Sequence, residues 1–182
     1  MYADVTASNL YNATAIGYNA KVNASNKVRI GNAAVTKIEG QVPFSTPSDG
    51  RYKFNVKEDV IGLAFIMNLR PVTYQFDVKK FDSELNTTNA SNVAYVAYEE
   101  AQSIRRTGFI AQEVEKAAEE SHYNFNGVLR PKNDQEHYSL SYESFVVPLV
   151  KAMQEQQLII QSQERRIAEL ERKVDILLQL NN

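Results

Sequence analysis

Pro47-Ser48-Asp49-Gly50-Arg51-Tyr52-Lys53 separates two textures of chain: short β-type repeats before it, and after it a mixed domain ending in a long helix. Pro, Ser, Asp and Gly in succession are turn chemistry, because Gly reaches positive φ without penalty and Asp bonds nearby backbone. The same heptapeptide also holds a hydroxyl and an amine, the parts of a serine nucleophile with a lysine base, which act only within hydrogen-bond reach of each other. Ser48 and Lys53 point apart on a regular strand and stand roughly 140° apart on a helix, so a bend at Gly50 is needed to join them. Lys53 further needs its pKa lowered from about 10.4 to roughly 7–8, by burial and by a neighbouring cation such as Arg51. Turn and dyad are compatible readings.

Upstream, Ala15-Ile16-Gly17-Tyr18-Asn19-Ala20 recurs loosely as Arg29-Ile30-Gly31-Asn32-Ala33, fourteen residues on, with Val22, Val28, Val35 and Ile38 between Asn, Gly and Ser punctuation. Strands this short carry too little apolar surface to fold singly and become stable when stacked or wound with copies of themselves. Residues 1–47 therefore read as the end of a β-repeat stalk, with a polar linker as the alternative.

Downstream, Asn55 followed by Glu58 has the layout of a helix cap, and Val60, Leu63, Ala64 and Met67 then share a face. Arg70-Pro71 ends that helix. Val72, Tyr74 and Phe76 alternate with polar residues at strand period. Residues 78–106 read as an inserted polar excursion with one short strand or helix near Val93–Tyr98. Thr107-Gly108-Phe109-Ile110 passes from a strand into a helix over 113–120, whose acidic first turn suits the helix dipole. A polar loop at 121–136 precedes a short strand around His137-Tyr138-Ser139-Leu140. His122 and His137 are too isolated to hold a metal, and no cofactor is expected.

Ser141 is a candidate cap for a helix reaching Leu180, with Pro148 expected to kink or restart it. Val146, Met153, Ile160, Ile167 and Val174 occupy one seam position of a heptad, and Leu149, Gln156, Gln163, Leu170 and Leu177 the other. That period predicts a coiled coil of roughly 50 Å, with Gln156 and Gln163 as polar layers. Arg166 and Glu171 are placed for an interchain pair useful for register.

The fold class is thus α+β: a β-repeat segment (1–47), a small mixed domain (48–140) and a coiled-coil helix (141–182). A net charge of −2 with mixed signs gives no basic stripe for nucleic acid, and no apolar run is long enough to span a bilayer. With no cysteine, thiol catalysis and thiolate metal sites are excluded. Met1-Tyr2-Ala3-Asp4 does not begin a signal peptide, so a longer parent chain is expected. Asn-x-Ser/Thr sites at Asn12, Asn23, Asn86 and Asn89 matter only in a eukaryotic secretory route.

The order Ser-Asp-x-Arg-x-Lys (48–53), helix, Leu69-Arg70-Pro71-Val72-Thr73-Tyr74, Gly108-Phe109-Ile110-Ala111-Gln112-Glu113-Val114, Tyr138-x-Leu140-x-Tyr142 and terminal coil resembles the peptidase S74 family. These are the intramolecular chaperones of endosialidase domains, found at the C-termini of phage tail spikes and fibres. The resemblance implies a homotrimer that assists folding of the fibre portion of the same polypeptide and then cuts itself off before the serine. By motif position it makes Ser48 the nucleophile, Lys53 the general base and Pro47–Ser48 the scissile bond, with Asp49, Arg51, Gln112 and Glu113 in support. It also implies a virion tail fibre or spike, or else a bacterial surface fibre. The repeats separately resemble those of trimeric adhesin heads. The segments 78–106 and 121–136 depart from the family pattern. The alternatives are a trimerisation cap that never cuts, and a receptor-binding tip using the 81–100 excursion.

Overall fold

The structure is a computed structural model that describes residues 3–85, 95–133 and 136–180. In chain order the elements are β1 (Asp4–Val5), β2 (Ala13–Ile16), β3 (Lys21–Val22), β4 (Lys27–Ile30), α1 (Leu63–Met67), β5 (Val72–Gln75), α2 (Val78–Leu85), α3 (Tyr95–Ser103), β6 (Arg105–Gly108), α4 (Ala111–Glu120), β7 (Val128–Leu129), β8 (Ser139–Leu140) and α5 (Val146–Leu180). It is a mixed α/β chain with a long C-terminal helix, in two units: 1–56 with 71–110 and 130–138, and 57–70 with 111–129 and 139–182.

The first unit begins as a winding. β1 pairs parallel with β3, and β2 with β4 in the register Ala13↔Lys27 to Ile16↔Ile30. The amide of Asn12 donates to Asn26 Oδ1 at 2.9 Å, fourteen residues away, and that of Asn32 to the Tyr18 carbonyl at the same separation. Asn12, Asn19 and Asn26 turn the corners at φ of 49°, 52° and 57°, a region Asn tolerates better than most residues. A Cβ on Gly17 would meet the Gly31 backbone at 3.5 Å, so the two glycines, at φ of 100° and 77°, stack directly. The Asn-rich punctuation thus makes the ladder. Ala20 and Val22 are fully buried, while Ile16, Val28 and Ile30 face outward.

β5 and β6 pair antiparallel from Val72↔Gly108 to Gln75↔Arg105, and β5 alternates half-buried and exposed positions as its period predicts. The 78–106 excursion differs from expectation: among its described residues it holds two helices, α2 and α3, and the start of β6, the described part of the Val93–Tyr98 island belonging to α3. Val78 and Ala101 are fully buried, and Tyr98 packs with them against Phe76, Ala33 and Ala34. The excursion therefore forms the core over the end of the winding. Val78, Phe81, Asp82 and Leu85 make a helical stripe, disguised in sequence by Asp82, which is buried and accepts the Tyr98 hydroxyl at 2.6 Å. The Arg29 guanidinium lies 5.7 Å from the Phe81 ring centre, and burial lowers its pKa against the raising effect of Asp82. Asn86 and Asn89 fall outside the described residues.

In the second unit α1 is only five residues long. The expected helix start at Asn55 fails, because Asn55 adopts φ of 53° and the chain stays irregular to Gly62. The N-terminal donor of α1 is satisfied from far away, Leu63 N–H donating to Glu155 Oε2 at 2.7 Å. Gly62 permits this approach: a Cβ there would stand 2.6 Å from the Ala152 nitrogen. Nor is the buried face the expected one, since Met67 is 73% exposed and Phe65 is fully buried. The Phe65 ring meets Tyr123, Phe125 and Phe145 at centroid distances of 5.3, 4.8 and 6.4 Å. Phe65→Ala is expected to lower the unfolding free energy by about 3–5 kcal/mol, measured by chemical denaturation.

α4 buries Val114, Ala117 and Ala118 and starts two residues before the expected 113. β7, inside the expected polar loop, pairs antiparallel with β8. A 3-10 turn at Tyr142–Phe145 leads into α5, and Ser141 precedes that turn without a side-chain cap bond. α5 is unbroken across Pro148, which is buried within its first turn, where a missing N–H costs nothing. The 35 residues of α5 span about 52 Å. From Gln156 onward every described residue is exposed, including Ile160, Ile167, Leu170, Val174 and Leu177. No helix among the described residues is long and apolar enough to cross a membrane.

Candidate active site

Residues 48–53 form a clasp in the first unit. Asp49 caps a single 3-10 turn over Gly50–Tyr52, its Oδ1 accepting the Arg51 backbone N–H at 2.9 Å. Its Oδ2 accepts from Arg51 Nε and a terminal guanidinium nitrogen at 2.9 and 2.6 Å. The Arg51 side chain, then its backbone N–H, holds the Asp49 carboxyl below the usual carboxylate range, and Asp49 raises the Arg51 pKa in return. The Lys53 N–H closes the turn on the Gly50 carbonyl at 3.1 Å. The chain then resumes an extended path, with Lys53 at φ −100° and ψ 132°.

This turn overcomes the spacing problem of the sequence. Lys53 Nζ comes to 2.7 Å from Ser48 Oγ. The heavy-atom distance suits either an ammonium donating to the hydroxyl or, after loss of that proton, a hydroxyl donating to a neutral amine. The bend differs from expectation in its cause. Gly50 is absent from the positive-φ positions, and a Cβ there meets nothing within 4 Å, so the Asp49–Arg51 clasp supplies the curvature. The Arg51 charge is correspondingly paired with Asp49. Ser48 and Lys53 both face solvent in the single chain.

Gln112 and Glu113 belong to the second unit, on the first turn of α4. Gln112 is exposed there. Glu113 accepts from Arg70 through both carboxylate oxygens, Nε reaching Oε2 at 3.0 Å, and so ties the Arg70-Pro71 motif to the Ala-Gln-Glu motif. Glu113 raises the Arg70 pKa, first by hydrogen bonding and then by its charge. Arg70, the partner of Glu113, is not among the supporting residues that the motif pattern supplies. Its place beside Pro71, facing a motif that carries an acid, was the available signal. Among the described residues no three His, Asp or Glu side chains cluster as a metal site.

The chain thus combines a clasped turn that holds a serine beside a lysine with a long, exposed C-terminal helix. The sequence model of the family described as Peptidase_S74, chaperone of endosialidase, matches residues 48–123, beginning on the serine itself. Over that segment the chain is similar to the peptidase S74 family, and the similarity supports a chaperone role in the folding of an associated fibre portion. No curated protein matches the chain.

Proposed function

We propose that residues 48–140 are a chaperone domain for a β-repeat fibre ending at residues 1–47, that residues 141–182 trimerise it as a coiled coil, and that it releases itself by cutting Pro47–Ser48. The setting is a phage tail fibre or spike assembling in the host cytoplasm, or a bacterial surface fibre. The observation that carries the cleavage reading is the 2.7 Å approach of Lys53 Nζ to Ser48 Oγ. Ser48 Oγ attacks the carbonyl carbon of Pro47, and Lys53 takes the hydroxyl proton and passes it to the departing Ser48 nitrogen. This N-to-O shift leaves an ester, which water hydrolyses to a Pro47 carboxylate and a free Ser48 amine. One turnover suffices. General-base action contributes about 10²–10⁴ in rate. It calls for a desolvated amine, so covering of the exposed pair by neighbouring subunits is part of the reading. Once the chaperone is cut away, the folded fibre becomes kinetically hard to reverse.

Support for trimerisation is the exposed seam of α5, which sustains its 3.5-residue period from Val146 to Leu177. Three copies, rather than two, are chosen because the family resemblance and the β repeats both point that way. The decisive experiment is intact mass under denaturing conditions on the purified assembly. Fragments 1–47 and 48–182 are expected, and a well-folded trimer that shows only the uncut mass overturns the cleavage reading. The exposure of Ser48 and Lys53 favours one second reading, a cap with the same fold that binds the fibre permanently. It yields one intact species in every variant.

A further inference from the structure

The two paired turns of the winding have a third counterpart in the sequence that is not paired. Fourteen residues beyond Asn12 and Asn26 stands Gly40; beyond Thr14 and Val28, Val42; beyond Ile16 and Ile30, Phe44. Each set is alike in kind. Asn12 and Asn26 hold φ of 49° and 57°, a conformation glycine adopts freely. Val42 repeats the β-branched residues Thr14 and Val28 of one outward row, and Phe44 the apolar Ile16 and Ile30 of the other. Yet residues 35–49 form neither helix nor strand and are exposed, Val42 at 75% and Phe44 at 86%.

Position 43 could not take its place in such a turn. In β4 and just after it, Lys27 N–H donates to the Asn12 carbonyl at 3.2 Å and Gly31 N–H to the Ile16 carbonyl at 2.7 Å. Strand alternation points the Arg29 N–H the same way, toward the preceding turn. On a third turn the donors are therefore residues 41, 43 and 45, and the acceptors the carbonyls of Asn26, Val28 and Ile30. Residue 43 is proline, which has no N–H and puts its ring where the hydrogen would be. An edge strand accepts proline only with that side toward solvent, and here it faces β4. A slip by one residue restores a donor but turns Val42 and Phe44 out of their rows.

Pairing would also move the serine. Ser48 stands at the position of Ala20 and Ala34; Ala20 is fully buried inside the winding, and Ala34 packs against Val78, Tyr98 and Ala101. A third turn would carry Ser48 to the corresponding interior position. We propose that Pro43 stops the winding after two turns and is a positioning residue for self-cleavage, keeping the lead into Pro47–Ser48 unpaired so that Ser48 remains beside Lys53. The positioning role rests on the assignment of Ser48 as nucleophile; the stop itself does not.

The test is amide hydrogen exchange on the full chain in a Ser48→Ala background, where every protein stays intact. With Pro43 present, the Gln41 and Ser45 amides are expected to exchange at loop rates, and with Pro43→Ala to slow by about tenfold or more. Val42→Pro combined with Pro43→Ala places the missing N–H toward solvent and should keep that protection. Protection already present with Pro43, none gained in Pro43→Ala, or loss of it in the double variant each overturns the stop. In the chain that keeps Ser48, Pro43→Ala should slow fragment release about tenfold, and an unchanged rate despite gained protection overturns the positioning role. Protection gained in chains that never cut, with or without Pro43, overturns self-cleavage and leaves the stop standing.

Discussion

A chain carrying Ser48→Ala is expected to run as one species of 182 residues under denaturing conditions in which the natural chain, on the proposed mechanism, separates into 1–47 and 48–182. The loss should be complete, because removing Oγ removes the only acyl acceptor in the proposed shift and water has no activated route to the same carbonyl. Lys53→Met leaves the nucleophile without its base, so cutting should slow by about 10²–10⁴ and be read as a time course of intact mass. Lys53→Arg should not rescue it, since a guanidinium keeps its proton in proteins. Ser48 and Lys53 are exposed, so these variants should unfold within about 0.5 kcal/mol of the natural chain. Continued scission at the same bond in Ser48→Ala would remove Ser48 from the mechanism.

Ile167→Asp is expected to dissolve the proposed trimer, with sedimentation reporting single subunits at concentrations where the natural chain is expected to associate. Ile167 is 55% exposed in the single chain and occupies the seam that three helices would close over. An aspartate there would bring three carboxylates together in an apolar layer with no cation to meet them, a cost of several kcal/mol for each ion. The same variant should stop self-cleavage although residue 167 is far along the chain from Ser48, because the exposed pair then stays uncovered. Gln163→Leu is the opposite test. It should raise the melting temperature of the trimer while loosening its register, as replacing a buried polar layer does. A trimer that persists in Ile167→Asp would place the assembly surface elsewhere.

What could be read from sequence was what local periodicity encodes. β5, the strand-to-helix passage at 105–120 and the long C-terminal helix all follow patterns that neighbouring residues complete among themselves. The errors arose where a distant residue decides. Asn55 and Glu58 look like a capping box, yet the donor at the start of α1 is met by Glu155, 92 residues away. α2 escaped notice because Asp82, apparently a surface residue, is buried under Tyr98. Pro148 was read as an interruption although its place in the first turn makes it harmless. At the site, the sequence offers Ser48 and Lys53 as a pair and Gly50 as the bend that joins them; the two side chains do meet, but Asp49 and Arg51 make the bend. Spacing alone cannot tell a flexible hinge from a charged clasp.

The stacked turns of the first unit raise a problem of phase. The paired turns β2 and β4 repeat residues of similar kind at an interval of fourteen, so in a longer fibre built of such turns, sliding one chain by a whole turn would forfeit contacts only at the ends. Three such chains laid together would have many nearly equivalent alignments and no internal mark to choose among them. A single non-repeating body at one end, itself able to associate in only one way, would supply the common origin from which all three are counted.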